Sequence, residues 1–388
     1  KVHSLMSLLP EHSDVVIVGG GVMGASTAFH LAEAGVNVLL LERDSLASGS
    51  TSKAAGGVRA NFSDELNIAM GLRSLHAFEN FGVKPGQEID LHQDGYLFIL
   101  TKDEDVELFK HSIELQNAMG VQSRLVSPQE AKELSPLLNV DDVLAASFSP
   151  RDGHCTPESV VLGYATGARR HGAKVLTGVE VTGIEIEGNE IVAVNTSAGR
   201  VATTTVINCA GAWSPSIGKM VGLDIPVVPY RREILITEAI PNLPSNFPMT
   251  LDFSTTFYFH REGPGLLTGF SDQSVAPGYS LTRDDSFIEK LAEHALHRAP
   301  GVIDAGIKSG WAGLYEVTPD HNALLGEWHG ISRFLYATGF SGHGFLQGPA
   351  IGEILRDLYL NETPFVDISP LAIERFEHGQ LRPERNII

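Results

Sequence analysis

The stretch Asp14-Val-Val-Ile-Val-Gly-Gly-Gly-Val-Met-Gly24 joins a short apolar run to a cluster of glycines. An apolar, β-branched run that stops at glycine is typical of a strand buried on both faces of a parallel sheet. From Val22 to Gly35 the apolar residues follow helical spacing, and Val36-Asn-Val-Leu-Leu-Leu-Glu42 reads as a second buried strand. The stretch therefore predicts a strand, a helix and a parallel strand, the unit from which doubly wound α/β sheets are built.

Three glycines in this stretch, Gly19, Gly21 and Gly24, match the pattern G-x-G-x-x-G between strand and helix. The first permits a tight turn, the second lets a pyrophosphate approach the backbone, and the third lets helix and strand close up. Glu42 ends the second strand, near the ~20-residue offset at which a carboxylate accepts hydrogen bonds from a ribose diol. The pattern predicts dinucleotide binding, with a purely structural glycine turn as the alternative. It does not separate NAD from FAD.

Length and composition exclude several classes of protein. At roughly 150 residues per domain, 388 residues indicate two to three folding units, and 43% hydrophobic with 19% charged residues excludes wholesale disorder. Lys+Arg 28 minus Asp+Glu 47 gives a net charge of −19. Such a surface repels phosphate backbones and anionic membranes, so neither nucleic acid nor a membrane is expected as a partner.

Cysteine usage and the N-terminal residues indicate a cytoplasmic protein. Cys155 and Cys209 lie far apart without a C-x-x-C pattern, which supports neither a disulfide framework nor a zinc ribbon. Lys1–Asp14 lacks the continuous apolar core of a secretory signal. His294 and His297 have no third ligand nearby, so no metal is expected.

The rest of the chain alternates between two kinds of pattern. A helix and short strands resume over Thr156–Cys209, whereas a charged amphipathic helix is predicted at Asp103–Met119. Pro226–Ala239 and Thr255–Phe270 read as longer strands, followed by a helix at Asp285–Arg298. We therefore predict a discontinuous arrangement in which residues 1–90, 145–225 and 310–388 form the dinucleotide domain, and residues 91–144 and 226–309 form a substrate-binding domain.

Three further clusters of small residues follow predicted strands or precede a helix: Ala47–Gly57, Val206–Trp213 and Ala337–Phe345. Small residues let the backbone pass close to a ligand, although the first cluster also fits a flexible surface loop. Together with the glycine turn, these clusters favour a long, extended ligand.

These segments carry a resemblance to a known family. Gly19–Glu42, Gly49–Arg59, Ile207–Trp213, Trp311–Asp320 and Gly339–Gly352 resemble the D-amino-acid oxidase/sarcosine oxidase family of FAD-dependent amine oxidoreductases. The segment Gly56–Phe62, followed by Glu65 and Asn67, is especially similar to the branch of glycine oxidases and of the β-subunits of sarcosine oxidase and proline dehydrogenase.

The resemblance implies an α/β fold, α+β overall. A Rossmann-like FAD-binding domain of glutathione-reductase type would carry a discontinuous antiparallel-sheet substrate domain. It also implies hydride transfer from a C–H beside an amine to flavin N5, hydrolysis of the resulting imine, and reduction of O2 to H2O2 in an oxidase. Gly313 stands where some relatives attach FAD through a cysteine, so noncovalent FAD is expected. The residues expected to hold FAD are Gly19, Gly21, Val22, Met23, Gly24, Glu42, Arg43, Ser50, Thr51, Ser52, Ala55, Gly56, Gly57, Val179, Ala210, Gly211, Trp213, Gly313, Gly339, Gly342, His343, Gly344 and Phe345.

Three residues are implied as catalytic by the same resemblance. Arg59 matches an arginine close to the flavin ring, His343 a histidine beside it, and Tyr258 a tyrosine that faces substrate. The alternatives are a surface salt bridge for Arg59, a helix-capping histidine and an aromatic core strand. The residues expected to line the substrate site are Tyr258, His260, Tyr315, Phe62 and Leu346, while Arg231 and Arg232 fit a solvated strand face equally well.

Departures from the family pattern bear on the substrate. Leu346 and Phe62 stand where sarcosine oxidases place a lysine and an arginine on the substrate carboxylate, and Tyr315 replaces the arginine of glycine oxidases. Leu267 stands where monomeric sarcosine oxidase has the lysine credited with oxygen activation. These departures argue against sarcosine itself as the substrate and allow a bulkier one, and they leave both an oxidase and a dehydrogenase open.

The sequence thus predicts FAD-dependent oxidation of a secondary amine or N-substituted glycine, with O2 or another electron acceptor. The alternative within the family is a proline-type amino-acid dehydrogenase or a flavin-carrying β-subunit of a complex. An NAD-dependent dehydrogenase would leave the glycines of Gly339–Gly352 without a role. A homo-oligomer and a partner subunit both remain open.

Overall fold

A computed structural model describes residues 8–387 of the chain. Within them lie eight α-helices, namely α1 Val22–Glu33, α2 Glu65–Glu79, α3 Asp103–Ala118, α4 Pro128–Leu134, α5 Pro157–Arg170, α6 Ser214–Lys219, α7 Asp285–Arg298 and α8 Gly344–Tyr359. The same residues form nineteen strands, namely β1 Val15–Val18, β2 Val38–Glu42, β3 Gly57–Val58, β4 Tyr96–Leu100, β5 Arg124–Val126, β6 Ala145–Ser149, β7 Gly153–His154, β8 Lys174–Thr177, β9 Val181–Glu187, β10 Glu190–Thr196, β11 Gly199–Ala202, β12 Val206–Asn208, β13 Val228–Thr237, β14 Met249–Asp252, β15 Tyr258–Glu262, β16 Gly265–Phe270, β17 Ile307–Val317, β18 Leu324–Glu327 and β19 Phe334–Thr338.

A six-stranded sheet of order β18-β19-β12-β1-β2-β8 contains the predicted strand, helix and strand unit. β1 lies between β2 and β12 and is parallel to both. Val15 and Ile17 enter the apolar core on one face of the sheet, whereas Val16 and Val18 enter the core on the other. This two-sided burial confirms the interpretation of the apolar run at Asp14–Gly19 and places the glycine turn at the carboxyl end of the central strand.

Small residues let three helices pack closely on one face of this sheet. A Cβ on Gly348 of α8 would lie 2.4 Å from the Val22 side chain of α1, and one on Gly352 would lie 2.1 Å from Ser26 Oγ. On the other side of α1, Gly167 of α5 faces the ring of Phe29. The C-terminal helix α8 is thereby held against α1, so both helix N-termini lie at the same edge of the sheet.

The second large sheet has eight strands in the order β17-β13-β16-β15-β14-β4-β6-β5 and is antiparallel except for the β4–β14 pair. The single long strand predicted over Thr255–Phe270 is wrong, because the chain turns back at Gly263, whose φ is +56°, and forms the hairpin β15–β16. β4 was not predicted, and all five of its residues are buried. A short, wholly buried strand shows no alternation by which a sequence would reveal it.

Two smaller sheets, β9-β10-β11 and β3-β7, complete the fold. The mixed α/β fold class is as predicted. The predicted domain boundaries remain a prediction, and two strands bear on them: β6 and most of β17 belong to the eight-stranded sheet, although residues 145–149 and 310–317 fall in the predicted FAD domain. The sheet to which a β-strand belongs is decided by the strands that pair with it, and the residue pattern of a single strand does not reveal those partners.

Two sequence expectations concern the membrane and the N-terminus. Among residues 8–387 no helix combines the length and the apolarity needed to cross a bilayer. Residues 1–7, which belong to the N-terminal stretch interpreted as non-secretory, lie outside the described residues.

Candidate functional site

A cleft of about 520 Å³ lies where the carboxyl ends of β1, β2 and β12 meet the face of the eight-stranded sheet. The parallel-sheet edge is where doubly wound folds bind their ligands. Of the predicted site residues, those that line the cleft are Gly19, Gly21, Val22, Met23, Glu42, Arg43, Ser50, Thr51, Ala55, Gly56, Gly57, Arg59, Val179, Ala210, Gly211, Trp213, Tyr258, Gly313, Tyr315, Gly342, His343, Gly344, Phe345 and Leu346. Gly24, Ser52, Phe62, His260 and Gly339 do not line it.

The glycine turn at one end of the cleft has no room for side chains. Gly19 has a φ of +112°, and a Cβ there would lie 2.2 Å from the carbonyl oxygen of Cys209. A Cβ on Gly24 would lie 1.8 Å from the carbonyl oxygen of Gly19. Gly21 precedes α1 and provides no side-chain cap, so the N–H groups of the first turn other than that of Val22, which donates to Thr51 Oγ1, are left for an anion. This cradle fits the pyrophosphate of a dinucleotide.

Glu42 has a structural task besides the predicted one. Its Oε2 accepts a hydrogen bond of 2.7 Å from the Gly20 N–H, and its Oε1 accepts one of 2.8 Å from the Asp44 N–H. The carboxylate therefore fixes the glycine turn against the end of β2 and still has lone pairs for a ribose diol. Beside it, the Arg43 guanidinium lies 4.5 Å from the ring centroid of Trp213, which closes this end of the cleft.

The small-residue loop that follows β2 is anchored on both sides of the cleft. Thr51 Oγ1 accepts a hydrogen bond of 3.1 Å from the Val22 N–H at the start of α1. Ser50 Oγ donates to the carbonyl oxygen of Leu314 on β17 at 2.7 Å. These bonds argue against the flexible-loop alternative, because the loop joins the dinucleotide cradle to the eight-stranded sheet.

Arg59 lies at the end of this loop and is 6% exposed, which is inconsistent with a surface salt bridge. Its Nη1 donates to Asn61 Oδ1 at 3.1 Å, and its Nη2 donates to the Asn386 carbonyl oxygen at 2.7 Å. The guanidinium lies 4.0 Å from the ring centroid of Phe62. Burial lowers the pKa of Arg59, but a guanidinium remains charged in proteins. Phe62 therefore supports the arginine from behind and does not form a wall of the substrate site.

His343 faces the cleft with a neutral imidazole. It precedes α8 but makes no side-chain capping bond, and within residues 8–387 neither ring nitrogen has a hydrogen-bond partner. Burial, followed by the charge of Arg59, lowers the pKa of His343 to about 3. Two unpartnered ring nitrogens in a buried side chain are costly unless a ligand pairs with them. The helix-cap alternative is therefore not what the structure shows.

Three tyrosines line the cleft, of which Tyr96 and Tyr258 are buried and Tyr315 is half-buried, and each packs against a glycine. A Cβ on Gly269 would lie 2.6 Å from Tyr258 Oη, one on Gly57 would lie 2.7 Å from Tyr96 Oη, and one on Gly342 would lie 2.5 Å from the Tyr315 ring. Burial raises the pKa of all three phenols, so each is a neutral hydrogen-bond donor. Tyr96 was missed in the sequence because it belongs to the unpredicted strand β4.

Arg232 lines the cleft, although a solvated strand face was considered equally suitable for it from the sequence and it was not chosen as a site residue. Its guanidinium lies 5.2 Å from the ring centroid of Tyr315. Its Nη1 donates to the carbonyl oxygen of its neighbour Arg231 at 2.9 Å and to that of Asp272 at 3.5 Å, and Nε has no partner among the described residues. Burial lowers the pKa of Arg232, and no carboxylate pairs with it within hydrogen-bond distance. Arg231, by contrast, pairs with Glu233 outside the cleft.

His260, predicted as a substrate contact, has no ring nitrogen free. Its Nε2 lies 2.9 Å from the Ala55 carbonyl oxygen, and its Nδ1 lies 2.7 Å from the carbonyl oxygen of Arg261. The ring stacks on His154 with centroids 3.8 Å apart, and it lies outside the cleft. His260 shares a face of β15 with Tyr258, two positions earlier, but it lies outside the cleft, so the structure gives no support to its predicted substrate contact.

Two acids near the cleft, Asp152, which is buried, and Glu316, which is half-buried, were not predicted. Asp152 accepts a hydrogen bond from the Ala60 N–H at 3.2 Å, and its Oδ2 has no partner within the described residues. Glu316 lines the cleft and accepts a hydrogen bond from Thr338 Oγ1 at 3.0 Å. Burial raises the pKa of each carboxyl group to about 7. Both groups can therefore change protonation near neutral pH.

These values give a prediction for the pH dependence of the site. Because the pKa of His343 is about 3, this residue stays neutral from pH 5 to pH 9, so flavin reduction should show no step caused by it. We expect the His343→Asn variant to change the rate of flavin reduction but to keep the shape of its pH profile. A step near pH 7 that persists in the variant belongs to Asp152 or Glu316. A step that disappears with the histidine would contradict a depressed His343 pKa.

Comparisons with known proteins agree with this geometry. The family model DAO, FAD dependent oxidoreductase, matches residues 14–358. Dimethylglycine dehydrogenase of Rattus norvegicus is 31% identical over 387 residues, which cover 94% of this chain and 45% of the rat enzyme. The chain thus spans about half the length of that relative.

Two solved structures share the whole fold. L-proline dehydrogenase from P. horikoshii superposes with a TM-score of 0.92 at 36% identity and covers 96% of this chain and 100% of its own. Glycine oxidase from Geobacillus kaustophilus superposes with a TM-score of 0.85 at 25% identity, covering 94% and 99%. The predicted family and its cofactor FAD are confirmed, and this match argues against the alternative of an NAD-dependent dehydrogenase. The chain belongs to the family of FAD dependent oxidoreductases.

Proposed function

We propose that this protein oxidises the carbon–nitrogen bond of a secondary amine that carries a carboxylate, such as an N-substituted glycine. The observation that carries the proposal is the cleft itself, which holds a dinucleotide cradle at one end and the unpaired Arg232, flanked by Tyr258 and Tyr315, at the other. A guanidinium with phenol donors beside it suits a carboxylate. Dimethylglycine and L-proline, the substrates named for two similar proteins, are both amines with an adjacent carboxylate.

In the proposed reaction the substrate loses one hydrogen from carbon and one from nitrogen, and a C=N bond forms. FAD supplies the two-electron acceptor when it is bound. Water then adds to the imine carbon and releases an amine together with an aldehyde or glyoxylate. Arg232 would hold the carboxylate, a neutral ring nitrogen of His343 would accept the proton of the amine, and the charge of Arg59 would stabilise negative charge that develops on the cofactor side.

The residues predicted to hold FAD fit a noncovalent complex. Gly19, Gly21 and the start of α1 would bind the pyrophosphate, and the Ala47–Gly57 loop would cover the extended cofactor. Cys209 lies in the cleft wall, and burial raises the pKa of its thiol to about 12. The thiolate needed for a thioether bond is therefore suppressed.

The electron acceptor divides the proposal into two candidates. The first is an oxidase, in which O2 is reduced to H2O2. The second is a dehydrogenase or a flavin-carrying subunit that passes electrons to another acceptor. Leu267 favours the second, because the position where a lysine would favour oxygen is occupied by an apolar side chain packed in the buried cluster with Tyr258 and Ile234.

Anaerobic bleaching of the flavin tests the proposal. The purified protein is mixed without air with N-alkyl glycines, glycine, D-amino acids and proline, and its visible flavin absorption is followed. We expect an N-alkyl glycine or another carboxylate-bearing secondary amine to bleach it. Fast recolouring in air identifies an oxidase, and slow recolouring identifies a dehydrogenase or a subunit. Protein that is colourless and cannot be reconstituted with FAD would overturn the proposal.

Replacing Arg232 with leucine is expected to weaken substrate binding. Loss of charged hydrogen bonds to a carboxylate costs about 2 kcal/mol, which is roughly 30-fold in KM. To measure this loss, the substrate is titrated into the parent protein and into the Arg232→Leu protein while the flavin absorption is followed. Arg261→Leu is the matched control, because Arg261 is another half-buried arginine of the same sheet but bonds to the carbonyl oxygen of Pro244 outside the cleft. Equal KM values for Arg232→Leu and the parent protein would remove Arg232 from the site.

A further inference from the structure

The last residues that the structure describes end beside the active-site arginine. Arg382 pairs with Asp64 through its guanidinium, and its N–H donates to Asp320 Oδ2 at 3.0 Å. From there the chain runs inward, and Glu384 and Asn386 are buried at 3% and 0% exposure. We call residues 384–387 the tail. It lies beyond residues 14–358, the part that the family model matches, so the family match gives no role to it.

Glu384 anchors the tail to the segment that follows Arg59. Its carboxylate accepts hydrogen bonds from the Ser63 N–H at 2.9 Å, from Ser63 Oγ at 2.6 Å and from the Asp64 N–H at 3.2 Å. It also accepts one of 2.9 Å from Asn67 Nδ2 in the first turn of α2. A buried carboxylate that accepts this many hydrogen bonds is held in one orientation. The tail and the N-terminus of α2 therefore form one rigid unit.

Asn386 then connects this unit to Arg59. Its backbone carbonyl oxygen accepts the 2.7 Å hydrogen bond from Arg59 Nη2, and its Nδ2 donates to the Asn61 carbonyl oxygen at 3.2 Å. The same Asn61 accepts a hydrogen bond from Arg59 Nη1 through its side chain. The hydrogen-bond partners of the guanidinium, the Asn386 carbonyl and the side chain and carbonyl of Asn61, thus belong to the tail or are bonded by it. The rings of Phe62, Phe98 and Tyr96 surround the guanidinium.

We propose that the tail orients the Arg59 guanidinium in the cleft, so that Glu384 and Asn386 are positioning residues of the active site. An arginine side chain loses rotamer entropy when it is held in one orientation, and electrostatic stabilisation works best with charges fixed before the reaction. The tail provides that fixation from a part of the chain more than 300 positions away along the sequence. The inference rests on the proposed role of Arg59 beside the flavin.

The test compares Glu384→Gln with Arg385→Ala in the FAD-loaded protein. Arg385 lies in the same tail, but its side chain is exposed. We expect Glu384→Gln to slow flavin reduction about tenfold and to lower the flavin midpoint potential, because the cation no longer sits where it stabilises the reduced flavin. A tenfold change in that stabilisation equals about 30 mV for a two-electron couple. Arg385→Ala should change neither quantity. If Glu384→Gln does not fold, Asn386→Ala takes its place.

A double-mutant cycle with Arg59→Met separates positioning from general structural support. If the tail acts through Arg59, then Glu384→Gln should have no further effect on the potential once Arg59 is methionine. A potential that shifts equally in both backgrounds would overturn the inference and leave the role of Arg59 intact. An Arg59→Met protein with the parent potential would instead overturn the role of Arg59, and the inference with it. A lower melting temperature with an unchanged potential would mean that the tail is only structural and would likewise overturn the inference.

Discussion

Gly24→Val protein is expected to retain no FAD. The valine Cβ would lie 1.8 Å from the carbonyl oxygen of Gly19, and backbone atoms cannot give way as a flexible side chain can. To make room, α1 must move away from β1, which carries the helix N-terminus away from the site where the pyrophosphate binds. The ratio of visible flavin absorption to protein absorption, measured after purification and again after incubation with FAD, reports the loss.

The control for this change is Gly301→Ala. Gly301 follows α7 and does not line the cleft, and a Cβ there would have nothing within 4 Å. Its variant should keep the flavin content and the melting temperature of the parent protein. A Gly24→Val protein that binds FAD as the parent does would show that the turn between β1 and α1 is not the cofactor cradle.

The part of the candidate cofactor site near the N-terminus was predictable because it depends on interactions between residues that are close in sequence. A tight turn, a helix N-terminus and a buried strand each leave a mark within a few residues, so Gly19, Gly24 and Glu42 could be chosen from the sequence. The structure adds to Glu42 a hydrogen bond with the Gly20 N–H, which spacing alone does not reveal.

The substrate end of the cleft was less predictable because it is made by tertiary packing. Arg231 and Arg232 are equivalent in sequence, and only the pairing of β13 with β17 shows that Arg232 lies near Tyr315. His260 was chosen from the resemblance together with Tyr258, with which it shares a face of β15, yet its ring stacks on His154 outside the cleft. The pattern indicated a strand, but it did not show how far along that strand the cleft extends.

The partners of Arg59 were beyond sequence reasoning altogether. Asn61 is close in sequence, but Asn386 is 327 positions away. The resemblance to the family identified the arginine, and only the fold shows that a backbone carbonyl near the other end of the chain holds it. A guanidinium that is buried without a carboxylate partner is expensive to keep. We interpret the free-energy cost of burying this charge as a sign that the charge serves the reaction.

Replacing Arg59 with methionine should therefore slow flavin reduction far more than it weakens FAD retention. Methionine keeps most of the volume next to Phe62 but removes the charge, and loss of one preorganised electrostatic donor costs roughly 10²–10³-fold in rate. FAD retention depends mainly on the glycine turn and the Ala47–Gly57 loop, so its dissociation constant should change by less than about tenfold, or 1.4 kcal/mol.

Anaerobic stopped-flow measurement of the limiting rate of flavin reduction, paired with the FAD dissociation constant of the same protein, tests this separation. Arg59→Lys is the matched variant, because it keeps the charge but loses the planar fork that Asn61 and Asn386 hold. Its rate should fall between those of the parent and of Arg59→Met. If both variants reduce their flavin at the parent rate, Arg59 plays no part in the chemistry, and its burial among Phe62, Asn61 and the tail serves only to hold the two sheets together.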